Sequence, residues 1–177
     1  MKATGIVRRI DDLGRIVIPK EIRRTMHIRE GAPLEIFTDT QGGVIFKKYS
    51  PIGELSDITE QYADVLNRSV GAPVLICDRD HVISVAGISK RDMADKRVSA
   101  ELEKIMDDRR MVTDEFGERV YPIEGSDSTA SVIAPIISNG DILGAVVFLR
   151  SDSAQIGQSE IKLAQVAASF LGKQMEE

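Results

Sequence analysis

The sequence predicts an α+β protein of two domains: a small strand-rich domain, then a larger one in which helices flank an antiparallel sheet. Short apolar runs separated by turn residues fill the first fifty positions. A break with Pro and Gly at 49–54 coincides with a change in the sign of the charge. After this break, strand patterns lie between a helical pattern at each end. We therefore expect a first domain at residues 1–50, a linker at 51–55 and a second domain at 56–177.

Two hairpins around one short helix are predicted for the first domain. The alternating runs Thr4–Ile10 and Arg15–Ile18 predict two strands, joined by a turn in which Gly14 takes a positive φ. Pro19 cannot continue the second strand but suits the first position of a helix, which we expect at residues 20–27. The remaining elements are strands at 34–38 and 44–48, which pair as a second hairpin.

A domain of this size is too small to be secure alone. Domains below about 60 residues are marginal, and isolated hairpins are weaker still. The segment has no cysteine for a disulfide and no pattern of metal ligands. Two copies that exchange strands would supply the missing core, so we predict an obligate dimer through this segment. The alternative is a monomeric domain that docks on the second domain of its own chain.

The second domain is predicted to begin and end with helices. Ser56 can cap a first helix that runs to about residue 69. Its apolar face is predicted to hold Ile58, Tyr62, Val65 and Leu66. The elements that follow are a helix at 99–106 and strands at 73–77, 82–86, 119–122, 131–137 and 142–149. Asn139-Gly140, between the last two strands, suits a tight hairpin turn.

The closing helix, predicted at residues 158–175, carries two apolar stripes. The first holds Ile161, Ala164, Ala168, Leu171 and Met175, and the second holds Leu163, Val166, Ala167 and Phe170. One stripe would cover the sheet, and the other would meet a second helix, from the same chain or from a partner. The alternative is a helix sunk wholly in its own core. A partner at this helix would pair dimers into tetramers.

The net charge of −5 is divided unevenly along the chain. Residues 1–50 hold ten Lys and Arg against six Asp and Glu, a charge of +4, whereas residues 51–177 carry −9. This division indicates either a first domain that meets a polyanion or ordinary surface chemistry. The sequence contains no recognisable secretory signal and no apolar run of the ~18 residues needed to span a bilayer. Its single cysteine cannot form a disulfide within the chain, so a cytoplasmic protein is expected.

A cationic face is predicted on the short helix of the first domain. At about 100° per residue, one arc holds Lys20, Arg23, Arg24 and His27, with Ile22 and Met26 opposite. The flanking strands add Arg8, Arg9 and Arg15. A planar guanidinium binds phosphate or a guanine edge through two hydrogen bonds, and a two-fold dimer would double this surface. The alternative is the solvated face of a small amphipathic helix, and spacing alone does not separate the two.

The segment 4–24 resembles the swapped-hairpin DNA-binding domain of the AbrB transition-state regulators. The resemblance rests on Gly-Arg-Ile-Val-Ile-Pro at 14–19 and Glu-Ile-Arg-Arg at 21–24, and it extends over about fifty residues. It implies a domain-swapped dimer that binds flexible, AT-rich double-stranded DNA without a helix-turn-helix. The implied DNA contacts are Arg8, Arg15, Arg23 and Arg24, with Arg9, Lys2 and Lys20 touching phosphates. Many members have Gly where His27 stands and Gly-Asp where Gly31-Ala32 stands, which affects the helix cap and the next turn.

Residues 56–177 resemble a GAF-type sensor domain in their order of helix, antiparallel sheet and closing helix. The GAF resemblance implies a pocket for a small effector, although the sequence names no ligand. The two halves together resemble regulators of sporulation over essentially the whole chain. This implies a transcription factor of the forespore that activates some genes and represses others.

No catalytic constellation, metal site or cofactor is predicted in the second domain. Cys77 lies in an apolar run and is expected to be a buried core residue. The string Asp78, Asp80 and His81 could ligate a metal, but it more often forms a hairpin turn. We therefore expect a DNA-binding regulator and not an enzyme. The alternatives are an effector sensor or scaffold whose basic domain docks a protein, and an enzyme of the second domain.

Overall fold

The computed structural model describes residues 4–114, 119–152 and 154–176, and the chain divides into two compact units, Met1–Tyr49 and Ser50–Glu177. Within the described residues, the first unit contains helix α1 (Lys20–Thr25) and an antiparallel hairpin of strands β1 (Leu34–Thr38) and β2 (Val44–Lys48). This hairpin confirms the prediction residue for residue. Its loop is held by Asp39 Oδ1, which accepts hydrogen bonds from the N–H groups of Gln41 (2.9 Å) and Gly43 (2.7 Å).

The two strands predicted at Thr4–Ile10 and Arg15–Ile18 do not form in the single chain. The described positions before α1 contain only a turn, closed by hydrogen bonds from Asp11 N–H to Arg15 O (3.1 Å) and from Gly14 N–H to Asp11 O (3.0 Å). The backbone N–H and C=O groups of a strand form hydrogen bonds to a neighbouring strand, and a single chain has no neighbouring strand at this position. The apolar side chains of both runs therefore stay in solvent, with Val7 89% and Val17 73% exposed.

Helix α1 ends at Thr25 and not at residue 27 as predicted. His27 takes a left-handed φ of 51°. Its N–H donates to Arg24 O (3.3 Å), and the N–H of Ile28 donates to Arg23 O (2.8 Å). These two bonds make a Schellman motif, whose left-handed residue is usually Gly. His27 thus caps the helix where the AbrB pattern has Gly, and it leaves the cationic arc.

We expect His27→Gly to be about 1 kcal/mol more stable than His27→Ala, because a Cβ at this φ is strained and Gly has none. Urea unfolding of the full chain, followed by circular dichroism, measures the difference. Equal free energies of unfolding for the two variants would contradict the cap that we describe.

The second unit is built on a five-stranded antiparallel sheet. Its strands are β3 (Val74–Asp78), β4 (Val82–Ala86), β5 (Val112–Thr113), β6 (Ala130–Ser138) and β7 (Asp141–Leu149), in the order β4-β3-β7-β6-β5. Its helices are α2 (Pro51–Glu54), α3 (Ser56–Val70), α4 (Lys90–Met93), α5 (Ala100–Asp107) and α6 (Gln158–Gln174). The predicted tight turn between β6 and β7 is confirmed, with φ of 48° at Asn139 and 86° at Gly140.

Helices cover both faces of this sheet. Alternation along β3 sends Val74 and Ile76 to one face and Leu75 and Cys77 to the other. The first face packs against α3 and α6, which lie side by side with the rings of Tyr62 and Phe170 5.2 Å apart. The second face packs against α5 and the segments that follow it, through a core that includes Leu102, Met106, Ile123 and Ile133.

Residues 51–55, expected to be a linker, belong to the second unit. Pro51 starts helix α2, and Ser50 Oγ accepts a hydrogen bond from the N–H of Gly53 at 3.1 Å. Ile52 is fully buried in the core against α3 and the sheet. The Pro that signals a chain break is also well suited to the first turn of a helix, and that role applies here.

Helix α3 differs from the prediction in its cap and in its buried face. Leu55 occupies the N-cap position, and Ser56 is the first helical residue. Residues Thr59, Ala63, Leu66 and Val70 face the sheet, whereas Ile58 and Val65 are exposed. Small side chains let the helix approach the sheet closely, and the hydroxyls of Thr59 and Ser84 satisfy each other at 2.7 Å.

The strand predicted at 119–122 is also wrong, since Val120 makes only an isolated bridge to Ala130, and the strand at the edge beside β6 is β5. In the first predicted stripe, Ile161, Ala164, Ala168 and Leu171 of α6 are buried, and Met175, just past the end of the helix, is half-buried. Leu163, Val166 and Phe170 of the second stripe are exposed. A helix sunk wholly in its own core is therefore excluded, although Ala167 is buried.

In the described ranges, no helix has both the length and the apolar character needed to cross a membrane.

Candidate nucleic-acid interface

Helix α1 brings three of the predicted contacts to one side. Lys20 lies three and four residues before Arg23 and Arg24, so the three side chains are neighbours on the helix surface. Lys20 and Arg24 are exposed, and Arg23 is half-buried. The acid of the first turn, Glu21, and the arginines of the last turn both complement the helix dipole.

The other predicted contacts lie outside helices and strands. Arg8 and Arg9 are exposed within the segment 4–10, where a single chain has no regular element to orient them. Arg15 is exposed at the end of the turn. Lys2 lies outside the described residues. One chain thus orders the cations of α1 and of the turn, and it leaves the first pair of arginines without a scaffold.

Asp11 organises the turn that carries Arg15. Its Oδ1 accepts hydrogen bonds from the N–H groups of Leu13 (3.0 Å) and Arg15 (2.7 Å). Its Oδ2 accepts one from the Arg15 Nε–H at 2.8 Å. The bonds from the backbone and then from the side chain of Arg15 lower the pKa of the Asp11 carboxyl. The sequence pattern predicts only a turn here, although an Asp before a Gly-containing turn is the signal of such a side-chain cap.

The string Asp78, Asp80 and His81 forms the turn between β3 and β4. Asp78 Oδ1 accepts hydrogen bonds from the N–H groups of Asp80 (2.7 Å) and His81 (2.7 Å). This use of the carboxylate is structural. Across the described part of the chain, no group of three or more His, Cys, Asp or Glu side chains is arranged to hold a metal ion.

Cys77 is fully buried, as predicted, and burial followed by the nearby charge of Asp78 raises the pKa of its thiol. We expect the folded chain not to react with Ellman's reagent in mildly alkaline buffer, because the thiolate is the reactive form. The same chain in concentrated guanidinium chloride should react fully. Ser69→Cys, at an exposed position of α3, is the positive control. Rapid reaction of the folded unmodified chain would contradict the buried placement.

Comparisons with known proteins cover both units. Residues 54–176 match the family model described as stage V sporulation protein T C-terminal, transcription factor. Residues 7–53 match the model described as antidote-toxin recognition MazE, bacterial antitoxin. Stage V sporulation protein T of Bacillus subtilis (strain 168) is 54% identical over 179 aligned positions, which cover 100% of both chains.

Two further relatives match one unit each. The transition state regulatory protein AbrB of Bacillus subtilis (strain 168) is 52% identical over 63 residues, which cover 32% of this chain and 65% of AbrB. The GAF domain of an Acinetobacter phosphoenolpyruvate-protein phosphotransferase has a TM-score of 0.52 at 9% identity, over 73% of this chain and 84% of that one. The second likeness shows the fold alone.

A cationic first unit of AbrB type, followed by a GAF-like sheet between helices, defines a DNA-binding regulator of transcription. The predicted α+β class with these two parts is confirmed. Because the family model spans more than half of the chain and the full-length relative is 54% identical, the chain belongs to the stage V sporulation protein T family.

Proposed function

We propose that this chain binds double-stranded DNA through the cations of its first unit and regulates sporulation genes. The observation that carries the proposal is the cationic surface of α1, with Lys20 and Arg24 exposed in a segment related to AbrB. Arg8, Arg15 and Arg23 complete the base and backbone contacts, and Arg9, Lys2 and Lys20 bind phosphates. The preferred duplex is AT-rich and flexible, as the resemblance to the AbrB regulators implies.

The binding form in this proposal is a domain-swapped dimer. The first unit of one chain leaves large apolar side chains in water along the turn and both segments that flank it, and these include Ile6, Val7, Ile10, Leu13, Ile16 and Val17. Patches of this extent mark an interaction surface on a protein that remains in solution. A second copy would pair the segments 4–10 and 15–18 as strands and would orient Arg8 and Arg9 beside α1.

Dimers associate further through the second unit. An outer apolar surface runs across α3 and α6, made of Ile58, Tyr62, Val65, Leu163, Val166 and Phe170. Two helices that present one continuous apolar face suit packing against the same pair of a second copy. We propose a tetramer built as a dimer of dimers through this surface.

The second unit of the proposed regulator senses a small effector or fixes the oligomer. The whole regulator acts on DNA in the cytoplasm of the forespore, and it activates some genes and represses others, as the family resemblance implies. The family model that matches the second unit is described as that of a transcription factor, which supports a role other than catalysis. The buried thiol of Cys77 is likewise unsuited to nucleophilic chemistry.

The salt dependence of DNA binding tests the proposal. Binding of the full chain to labelled AT-rich and GC-rich duplexes is measured by fluorescence anisotropy over a series of KCl concentrations. The logarithm of the association constant should fall with log salt, with a slope of about −0.9 for each phosphate contacted. A flat response, or no binding to either duplex, would overturn it.

The alternative is a first unit that docks a protein, and the match of residues 7–53 to an antidote-toxin recognition model favours it as the second candidate. The anisotropy series separates the two, because only DNA binding gives a steep salt slope that depends on the arginines of α1.

A further inference from the structure

The carboxylate of Asp11 is held by two backbone N–H groups as well as by the Arg15 side chain. Oδ1 takes the two N–H groups of the turn, from Leu13 and Arg15, and Oδ2 takes the Arg15 Nε–H at 2.8 Å. The Arg15 side chain is 70% exposed, so its outer end remains open to a ligand. The pair therefore presents a guanidinium that is held at its base and free at its tip.

A guanidinium has two forks of N–H donors, one that includes Nε and one formed by the two terminal Nη groups. Asp11 occupies the Nε position, and the terminal fork is left for DNA. A phosphate at this fork would approach the negative charge of Asp11, and like charges repel. A base edge is uncharged, and guanine O6 and N7 match the terminal fork in two hydrogen bonds. The Asp11 carboxylate thus weakens the binding of a phosphate at the terminal fork and leaves the binding of a base edge unaffected.

We propose that Asp11 is a positioning residue that directs Arg15 to base edges, so that the Asp11–Arg15 pair sets the sequence preference of the chain. This inference rests on the proposed function, in which Arg15 faces DNA. Lys20 and Arg24 are exposed on α1, and in this proposal they bind phosphates.

Asp11→Asn is the informative variant, with Asp12→Asn as its matched control. Asn keeps one side-chain oxygen for the N–H groups of the turn, but it loses the charge and the acceptor for Arg15 Nε. Asp12 is exposed one position further on, and its substitution removes the same formal charge. Both variants and Arg15→Ala are made in the full chain.

Two probes measure sequence preference. The first is the tightest-binding duplex recovered from a random pool by the unmodified chain, and the second is a duplex of the same length and base composition with its sequence scrambled. Asp11→Asn should lower the ratio of the two affinities about tenfold, as the loss of one base contact does, while Asp12→Asn leaves the ratio unchanged. Arg15→Ala should lower the ratio without changing the salt slope on the recovered duplex. The double variant should be no less selective than Arg15→Ala.

The inference would be overturned by an unchanged ratio in Asp11→Asn, by an equal fall in Asp12→Asn, or by a salt slope that Arg15→Ala reduces as the loss of a phosphate contact does. An unmodified chain that binds both probes equally has no preference for the pair to set, and this also overturns it. An unmodified chain that binds neither probe overturns the proposed function itself. The failures are therefore distinguishable.

Discussion

We expect Arg24→Ala to lower the affinity for DNA about tenfold or more and to leave the oligomer intact. Arg24 is exposed in the last turn of α1, so its truncation removes a cation from the surface without opening a core. Ala is also the best helix former, and α1 therefore persists. In a two-fold dimer each substitution removes two contacts, so the slope of log affinity against log salt should become shallower by about two.

Anisotropy titrations and sedimentation equilibrium of the same samples check this prediction. Arg91→Ala is the control, because Arg91 is an exposed arginine of α4 in the second unit and its loss changes the net charge equally. Loss of dimerisation in Arg24→Ala would contradict the prediction, because it would place the Arg24 side chain at the dimer interface and not on the DNA-binding surface. Arg23→Ala should also weaken binding, but Arg23 is half-buried, and its loss reports on packing as well.

The parts of the fold that could be predicted from the sequence are those whose causes are local. The hairpin β1–β2 depends on the Asp39 side chain and on the glycines of its loop, and the hairpin β6–β7 depends on Asn139-Gly140. Turn chemistry of this kind is complete within four or five residues. Both hairpins were accordingly predicted to within a residue at each end.

The predictions that proved wrong concern elements whose structure depends on what they pack against, which a local sequence pattern does not show. The runs 4–10 and 15–18 have the alternation of strands, but a single chain offers them no neighbouring strand to pair with. On α3, the apolar pattern favoured the face of Ile58 and Val65, whereas close packing against the sheet selected the face of Thr59 and Ala63. Burial is decided by the surface that an element meets, and periodicity describes only the element.

The candidate site divides in the same way. The cationic arc of α1 follows from helical spacing, and three of its four predicted members remain on the helix. His27 does not, because a residue in the left-handed conformation was needed to end the helix there. The contact between Asp11 and Arg15 depends on the shape of the turn, so the spacing of charges did not indicate it.

Val166→Glu is expected to convert the proposed tetramer into a dimer without unfolding either unit. Val166 is 61% exposed at the centre of the outer apolar surface, between Leu163 and Phe170 on α6. A carboxylate is well hydrated there in a free second unit, but burial without a partner in an interface between copies costs several kcal/mol. A deletion of α6 would be uninformative, because Ala164 and Leu171 of the same helix are in the core and the unit would unfold.

Sedimentation velocity of the full chain measures the effect, with Ser169→Glu as the control. Ser169 is exposed on the same helix, about 60° around the axis from Val166 and on the side away from Leu163 and Phe170. The control should therefore remain tetrameric and carry the same added charge. A tetramer in Val166→Glu, or a dimer in the unmodified chain, would show that the outer apolar surface is not the interface between dimers. Since DNA binding is assigned to the first unit, the dimer produced by Val166→Glu should still bind a short duplex with the salt slope of the unmodified chain.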